Sequence, residues 1–245
     1  MTENSDRDDA SFFSRGWVVA SPMLERLGLA RARRRLVAGL SGTVVEVGAG
    51  SGVTFEHYPP EVTRVVAVEP DPHLRAYARR RAARTAGEAG AGTSIEVVDA
   101  VAEALPLADG EADAVVFGLV LCTVPDVPAA LAEARRVLRR GTQERPGAQA
   151  RRGPQERPDA EDRPGGEIRL LEHVRAPGRL GRFADRIAPV WGHVGGGCRP
   201  NQDTEALLAE AGFDVAALQT RPFPPVVPLM PMLTGSSQPV GTYAL

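Results

Sequence analysis

Short runs of β-branched apolar residues alternate along the chain with longer stretches whose apolar residues recur at helical spacing. Such runs predict buried strands, and the longer stretches predict amphipathic helices. The predicted strands are residues 43–47, 64–68, 94–98, 112–117, 167–171 and 213–218. The predicted helices are residues 12–40, 71–86, 127–138 and 202–211, with Asp71 as an N-cap. This α/β alternation predicts a parallel sheet covered by helices on both faces.

Two similar twelve-residue units, 139–150 and 151–162, interrupt the alternation. They are rich in proline and charge and hold no large apolar residue, so we expect a disordered insertion at 139–162. Without both units, Leu138 would join Arg163 in a short turn that contains Pro and Gly. A partner-binding loop is the alternative interpretation.

The first predicted strand runs into a glycine-rich turn, Glu46-Val47-Gly48-Ala49-Gly50-Ser51-Gly52. Ligands of parallel sheets bind beyond the carboxyl ends of the strands, where this turn lies. Its G-x-G-x-G spacing differs from the G-x-G-x-x-G of nicotinamide sites, and a carboxylate at Glu46 suits a cation better than a pyrophosphate. S-adenosylmethionine carries a sulfonium and an ammonium but no phosphate, so the turn favours this cofactor. A structural βα turn is the alternative.

Acidic residues follow the next two predicted strands. Glu69 comes 17 residues after Gly52, where a carboxylate accepts hydrogen bonds from ribose hydroxyls. A helix N-terminal acid is the alternative for Glu69. Asp99 follows the third strand and suits the adenine amino group, or else caps the next helix.

The run from about 43 to 117 resembles the class I methyltransferases that use S-adenosylmethionine. Leu105-Pro106-Leu107 ahead of Asp113 is typical of their ubiquinone-biosynthesis, or type 11, branch. The resemblance implies a Rossmann-like, doubly wound sheet of seven mostly parallel strands. It also implies a set of cofactor-binding residues, namely Glu46, Gly48, Ala49, Gly50, Ser51, Gly52, Glu69, Pro70, Asp99, Ala100 and Leu119.

Four further segments resemble one subgroup, the methyltransferase-like proteins whose animal members methylate alkyl thiols. They are His57-Tyr58-Pro59, residues 119–124, Glu172-His173-Val174 and residues 191–198. This resemblance implies a small-molecule acceptor, with a thiol as the first candidate. Phospholipid and amine N-methyltransferases share much of the pattern and remain alternatives. The membrane anchor of the animal members is not expected here.

Two of the four histidines are predicted catalytic residues that activate or orient the acceptor. His173 ends the fifth strand, and His193 lies in the glycine-rich run after Trp191. Structural, hydrogen-bonded histidines are the alternative. Cys122 and Cys198 are far apart in sequence, so we interpret them as small buried apolar residues and predict no metal ligands.

Composition narrows the partners and the location. A net charge of -2 gives no pull toward nucleic acid, and no apolar stretch is long enough to span a bilayer. The polar N-terminus and two cysteines favour a reduced, cytoplasmic setting. The predicted layout is a tail and helical lid at 1–40 and a cofactor-binding domain at 41–245. Contact of residues 12–40 with a membrane surface is the alternative to the lid. We expect the apolar tail at 223–233 to line the acceptor pocket.

Two other classes of function stay open on the sequence alone. A nucleotide-cofactor oxidoreductase would share the sheet, although the turn spacing and Glu46 argue against it. A cofactor-binding module without catalysis is the other alternative. The sequence gives no oligomeric state.

Overall fold

A seven-stranded sheet forms the centre of the protein, in the order β3-β2-β1-β4-β5-β7-β6. The computed structural model describes residue 16 and residues 18–19, 21–88, 92–141, 165–221 and 231–240, without the side chains of 86–88 and 193–194. The strands are β1 (Gly42–Val47), β2 (Val62–Val68), β3 (Ser94–Val98), β4 (Ala114–Gly118), β5 (Glu167–His173), β6 (Gln219–Arg221) and β7 (Met232–Ser237). β1 to β5 pair in parallel, and β7 runs antiparallel to both of its neighbours. The predicted fold class is confirmed.

Five α-helices connect or flank these strands in the described parts of the chain. They are α1 (Ala30–Val37, after a π-helical turn at Glu25–Leu29), α2 (Pro72–Glu88), α3 (Val127–Val137), α4 (Gly178–Val194) and α5 (Thr204–Glu210). A single 3-10 turn covers Phe55–His57. Asp71 accepts hydrogen bonds from the backbone N–H groups of His73 (2.8 Å) and Leu74 (2.9 Å), which confirms its predicted N-cap role.

The sheet buries an apolar core on each face, as alternation along β1 requires. Val44 packs in the core beneath α1 and α2, whereas Val45 and Val47 pack in the core beneath α3 and α5. Helices on both faces leave the carboxyl ends of β1 to β5 as a common edge of the sheet. That edge is where a doubly wound fold binds its ligands.

One predicted strand in the second half of the chain is wrong. Residues 213–218 form no strand, because Asp214 accepts a hydrogen bond from Ala216 N (2.9 Å) and Leu218 N donates to Val215 O (3.1 Å). These turn hydrogen bonds use the backbone groups that a strand would need, and β6 begins only at Gln219. Helix α4 was not predicted from the sequence; it extends to Val194 with Pro189 inside it and therefore includes His193.

Most of the predicted insertion, residues 142–162, lies outside the described residues, as do residues 1–15 and 222–230. The two chain ends that flank the insertion are adjacent. Gly166 N donates to Arg139 O at 2.8 Å, and a Cβ on Gly165 would lie 3.1 Å from Gly141 N. In the described residues, no helix is both long and apolar enough to cross a membrane.

Candidate cofactor and acceptor site

The glycine turn after β1 depends on glycine at two tightly packed positions. Gly48 has a φ of 64°, and a Cβ there would lie 2.2 Å from Val120 Cγ2. Gly52 has a φ of 75°, and a Cβ there would lie 2.5 Å from Phe55 Cε2. Neither the left-handed backbone nor the space admits a side chain. The turn therefore presents bare backbone to the carboxyl edge of the sheet.

Glu69, at the end of β2, joins this turn to the neighbouring strand. Its Oε2 accepts a hydrogen bond from Gly50 N (2.7 Å), and its Oε1 accepts one from Asp71 N (2.9 Å). Burial raises the pKa of Glu69, while these two backbone donors act in the opposite direction. Each carboxylate oxygen can accept a second hydrogen bond. Glu69 thus keeps acceptor capacity for a ligand with hydroxyl groups, and its predicted ribose role stays a prediction.

Arg75 of α2, which sequence reasoning missed, ties the ends of β2 and β3 together. Its guanidinium bonds to Asp99 Oδ2 (2.7 Å) and to the backbone oxygens of Glu69 and Pro70 (both 2.8 Å). Asp99 is 66% exposed in its side chain, whereas Ala100 is half-buried. The predicted adenine-side residues therefore form the open rim of the site. Their arginine partner carried no sequence signal, because it is one of many arginines in the helix.

Beneath the turn, Glu46 lies in a buried polar network that includes α1. Tyr58 Oη donates to Glu46 Oε2 (2.9 Å), and Arg33 Nη1 donates to Thr54 Oγ1 (3.2 Å). Burial raises the pKa of Glu46, opposed by hydrogen bonds from Thr54 and Tyr58 and by the charge of Arg33. Ala49 and Ser51 of the turn are buried alongside. Glu46 therefore stabilises the turn from its buried side.

The loop after β4 is held by a buried carboxylate that the sequence-based site did not include. Leu119 has a left-handed φ of 64° and donates its N–H to Leu171 O at 2.8 Å. Glu172 Oε1 accepts from Val120 N at 2.8 Å. Burial raises the pKa of Glu172 to about 7, while the backbone N–H groups of residues 120–122 favour its ionised form. A charged residue that ends an apolar strand was the signal available in the sequence.

Cys122, His173 and Cys198 meet beside this loop. One ligand atom from each lies within 4.8 Å of the other two, and Cys198 Sγ is 4.0 Å from His173 Nδ1. Hydrogen bonding with Cys122 lowers the pKa of Cys198, with further contributions from burial in the opposite direction and from His173. The same sulfur–sulfur hydrogen bond, together with burial, raises the pKa of Cys122.

Both cysteines are buried, as expected, and they lie close together although they are far apart in sequence. His173 ends β5 as predicted and belongs to their cluster. His193 lies on α4, and its side chain is outside the described residues.

Apart from His193, the predicted site residues thus lie along one edge, from Asp99 after β3 to His173 at the end of β5. A family profile described as "Methyltransferase domain" matches residues 45–143. Human thiol S-methyltransferase TMT1B is 30% identical over 209 residues, which cover 82% of this chain and 73% of the relative. The chain belongs to this methyltransferase family. It is an S-adenosylmethionine-dependent methyltransferase, and the oxidoreductase and non-catalytic alternatives are set aside.

Solved structures agree with this family at the level of the fold. An S-adenosylmethionine-dependent methyltransferase from Thermotoga maritima is 20% identical, with a TM-score of 0.56, over 94% of this chain and 96% of that one. A geranyl diphosphate methyltransferase in complex with its cofactor is 15% identical, with a TM-score of 0.59, over 89% of this chain and 87% of that one.

The geometry of the methyltransferase fits its cofactor. The bare backbone at Gly48 and Gly52 leaves room for a closely approaching ligand, and Glu69 offers acceptor oxygens beside it. The carboxyl group of Glu69 beside the turn supplies negative charge that suits a sulfonium and an ammonium. Asp99 at the rim forms an ion pair with Arg75.

Proposed function

We propose that the enzyme methylates the sulfur of a small-molecule thiol. The observation that carries this proposal is the position of His173 and Cys198 next to the loop at Val120, which itself packs on Gly48. An acceptor bound there would lie beside the cofactor turn. The relatives named thiol S-methyltransferases support the same acceptor, because their similarity extends over most of the chain.

Within this proposal the cofactor-side residues have separate tasks. The turn residues Gly48, Gly50 and Gly52 contact the methionine and ribose parts, and Glu69 holds the ribose hydroxyls. Asp99 and Ala100 flank the adenine. The remaining residues of the proposed site shape its walls or lie beneath it: Glu46, Ala49, Ser51, Pro70 and Leu119.

Bound S-adenosylmethionine supplies an electrophilic methyl carbon, and the protein supplies position and electrostatics. The acceptor sulfur must lie in line behind that carbon, in its thiolate form. We assign His173 and His193 to the acceptor side, where they orient the thiol and favour the loss of its proton. When the sulfur–methyl bond forms, the bond from the methyl carbon to the sulfonium breaks. A thioether and a neutral cofactor product result.

The location and layout of the protein are part of the proposal. We place the enzyme in the cytoplasm and divide it into an N-terminal tail and lid at 1–40 and a methyltransferase domain at 41–245. The lid would cover the cofactor from the side of α1, which Arg33 already connects to the turn.

An acceptor panel with methyl-labelled cofactor tests the acceptor. Each alkyl thiol is paired with the alcohol and the amine of the same carbon skeleton, and a phospholipid vesicle is added as a further candidate. We expect label in a thioether product from the thiols alone, identified by mass spectrometry. Label in the amine or the lipid, with none in the thiols, would refute the thiol proposal while leaving the methyltransferase activity intact.

A further inference from the structure

Three separate segments bring two sulfurs and an imidazole to one point at the acceptor side. Cys122 lies in the loop after β4, His173 ends β5, and Cys198 follows α4. These are the only two cysteines in the sequence. The three residues come from segments that are far apart in the chain, so their proximity does not follow from local sequence.

Backbone contacts fix each of the two cysteine segments. Arg199 N donates to Cys122 O at 2.8 Å, and Cys198 N donates to Gly195 O at 3.1 Å. Gly196 and Gly197 have positive φ values of 61° and 85°, which turn the chain after α4 back toward β5. On the other side, the carboxylate of Glu172 holds the loop that carries Cys122 through Val120 N. Backbone and side-chain hydrogen bonds therefore hold the segments that carry the cluster in fixed positions.

The spacing of the donor atoms is close to that of a tetrahedral zinc site. Zn–S bonds of about 2.3 Å and Zn–N bonds of about 2.0 Å place sulfur and nitrogen ligands roughly 3.5 Å apart and two sulfurs roughly 3.8 Å apart. Here Cys198 Sγ is 4.0 Å from His173 Nδ1, and all three donor atoms lie within 4.8 Å of one another. Small side-chain rotations would close the difference.

The type of donor also selects the metal. Thiolate sulfur and imidazole nitrogen favour zinc over magnesium or calcium, which prefer oxygen. Both cysteines are buried, with exposed fractions of 2% and 8%, and as metal ligands both would be thiolates, which are stable in a buried site only beside a compensating charge. A divalent ion supplies that charge. Three protein ligands are also the number found in catalytic zinc sites, which keep a fourth position for substrate.

We propose that Cys122, His173 and Cys198 bind one zinc ion whose fourth coordination position takes the sulfur of the acceptor. The role of the ion in methyl transfer rests on the proposed thiol activity, whereas metal binding by the three side chains does not. His173 would then act on the acceptor through the metal.

Methyl transfer to a zinc-bound thiolate needs no oxidant or reductant. The acceptor R–SH displaces water from the fourth position, its S–H bond breaks, and the proton leaves to solvent. The zinc-bound thiolate sulfur forms the new bond to the methyl carbon, and the electron pair of the old bond goes to the cofactor sulfur. Zinc remains divalent throughout and releases the thioether, which is a weaker ligand than the thiolate.

Metal analysis of the full chain provides the first test. The protein is first reduced with a phosphine and freed of metal with a chelator. Its zinc affinity is then measured by titration against a chromophoric competitor, and the amount of bound metal is measured by mass spectrometry. We expect one zinc per chain. Cys122→Ser, Cys198→Ser and His173→Gln should each weaken zinc binding by more than the roughly 10–100-fold that loss of an outer-shell partner costs.

His73→Gln is the matched control, because His73 lies on α2 against Tyr77 and outside the cluster. It should bind zinc like the wild type. Cofactor binding, measured by calorimetry on every variant, should be unchanged and shows that each variant is folded. If a cysteine variant fails this check, the wild-type spectra described next decide alone.

Cobalt substitution gives the second test. Cobalt in the stripped wild type should produce a thiolate-to-cobalt charge-transfer band, which grows when an alkyl thiol occupies the fourth position. The proposal is supported if the wild type and the control bind one zinc per chain, the three variants lose it, and this band appears.

Several results would overturn it. The proposal is overturned if reduced protein binds no zinc and shows no charge-transfer band. It is also overturned if the three variants bind zinc as the wild type does. An intact mass two hydrogens lower in protein purified without reductant, with no metal bound, would instead mean that Cys122 and Cys198 form a disulfide. Zinc binding in an enzyme that methylates no thiol would refute the proposed acceptor and leave the metal site standing.

Discussion

Gly48, in the cofactor turn, is subject to two constraints. Its φ of 64° lies in the left-handed region, and Val120 fills the space where a Cβ would be. Gly110 has a similar φ of 71°, but no atom lies within 4 Å of the position that a Cβ would take there. An alanine at Gly110 would therefore be strained only by its backbone conformation, whereas an alanine at Gly48 would also clash with Val120.

We expect Gly48→Ala to weaken S-adenosylmethionine binding by at least about tenfold, which corresponds to about 1.4 kcal/mol. The added methyl group would push Val120 and shift the backbone that the cofactor contacts. Gly110→Ala should lose only the roughly 1–2 kcal/mol of stability that a left-handed alanine costs, with cofactor affinity unchanged. Calorimetric titration and urea unfolding of both variants measure the two effects. Equal cofactor affinities in the two variants would contradict this role of Gly48.

Residues with a characteristic local pattern could be predicted from the sequence, and residues that act across the fold could not. The glycine turn, Glu69 and Asp99 follow directly after predicted strands, so their common edge was predictable. Arg75 and Glu172 act on partners that are distant in sequence, and although Glu172 stands out as a charged residue in an apolar strand, no local pattern gives its partner. The pairing of Cys122 with Cys198 spans 76 positions (198 minus 122), which no spacing rule covers.

At the scale of elements, α1 links the N-terminal segment to the core of the sheet. Leu36 and Val37 are buried, and Leu36 Cδ2 would lie 3.4 Å from a Cβ on Gly118 of β4. Arg33, from the same helix, reaches Thr54 below the cofactor turn. We therefore expect α1 to be the fixed base of the proposed lid, so that any closing motion would involve residues before it.

Leu36→Ala tests this division of the N-terminal segment. Because Leu36 is buried against β4, the truncation should lower the free energy of unfolding by about 2–4 kcal/mol. Leu27→Ala is the control, since Leu27 is 42% exposed and its loss should cost within about 0.5 kcal/mol. Urea unfolding at fixed pH measures both. A small cost for Leu36→Ala, with a large fall in cofactor affinity, would mean that α1 moves with the lid.

Element prediction succeeded where buried strands alternate with capped helices, including α5, and failed after β5 at α4 and at residues 213–218. The first four strands carry apolar runs, and Asp71 begins α2 as expected. α4 was missed because its glycines and Pro189 are poor helix formers, so tertiary packing outweighs local propensity there. Residues 213–218 have strand composition, but Asp214 directs them into a turn.

At the scale of the whole molecule, the cofactor turn and the two described chain ends that flank residues 142–164 lie at different edges of the sheet. The cofactor turn follows the carboxyl end of β1, whereas the insertion joins α3 to the start of β5. The starts of parallel strands lie at the edge opposite their carboxyl ends. The adjacency of Arg139 and Gly166 means that the chain leaves and re-enters the fold at one point.

Replacement of residues 142–164 by a Gly-Ser dipeptide should therefore leave cofactor affinity within about twofold of the wild type. The shorter connection lowers the entropy cost of loop closure, so we expect stability to rise by on the order of 1–2 kcal/mol. Arg139 stays in place, because its Nε is 2.9 Å from Asp113 Oδ1. A variant with a Gly-Ser linker of the original length controls for length, since it should match the wild type in both measurements. A tenfold loss of affinity for cofactor or acceptor thiol in both replacements would show that the native insertion sequence contacts the site.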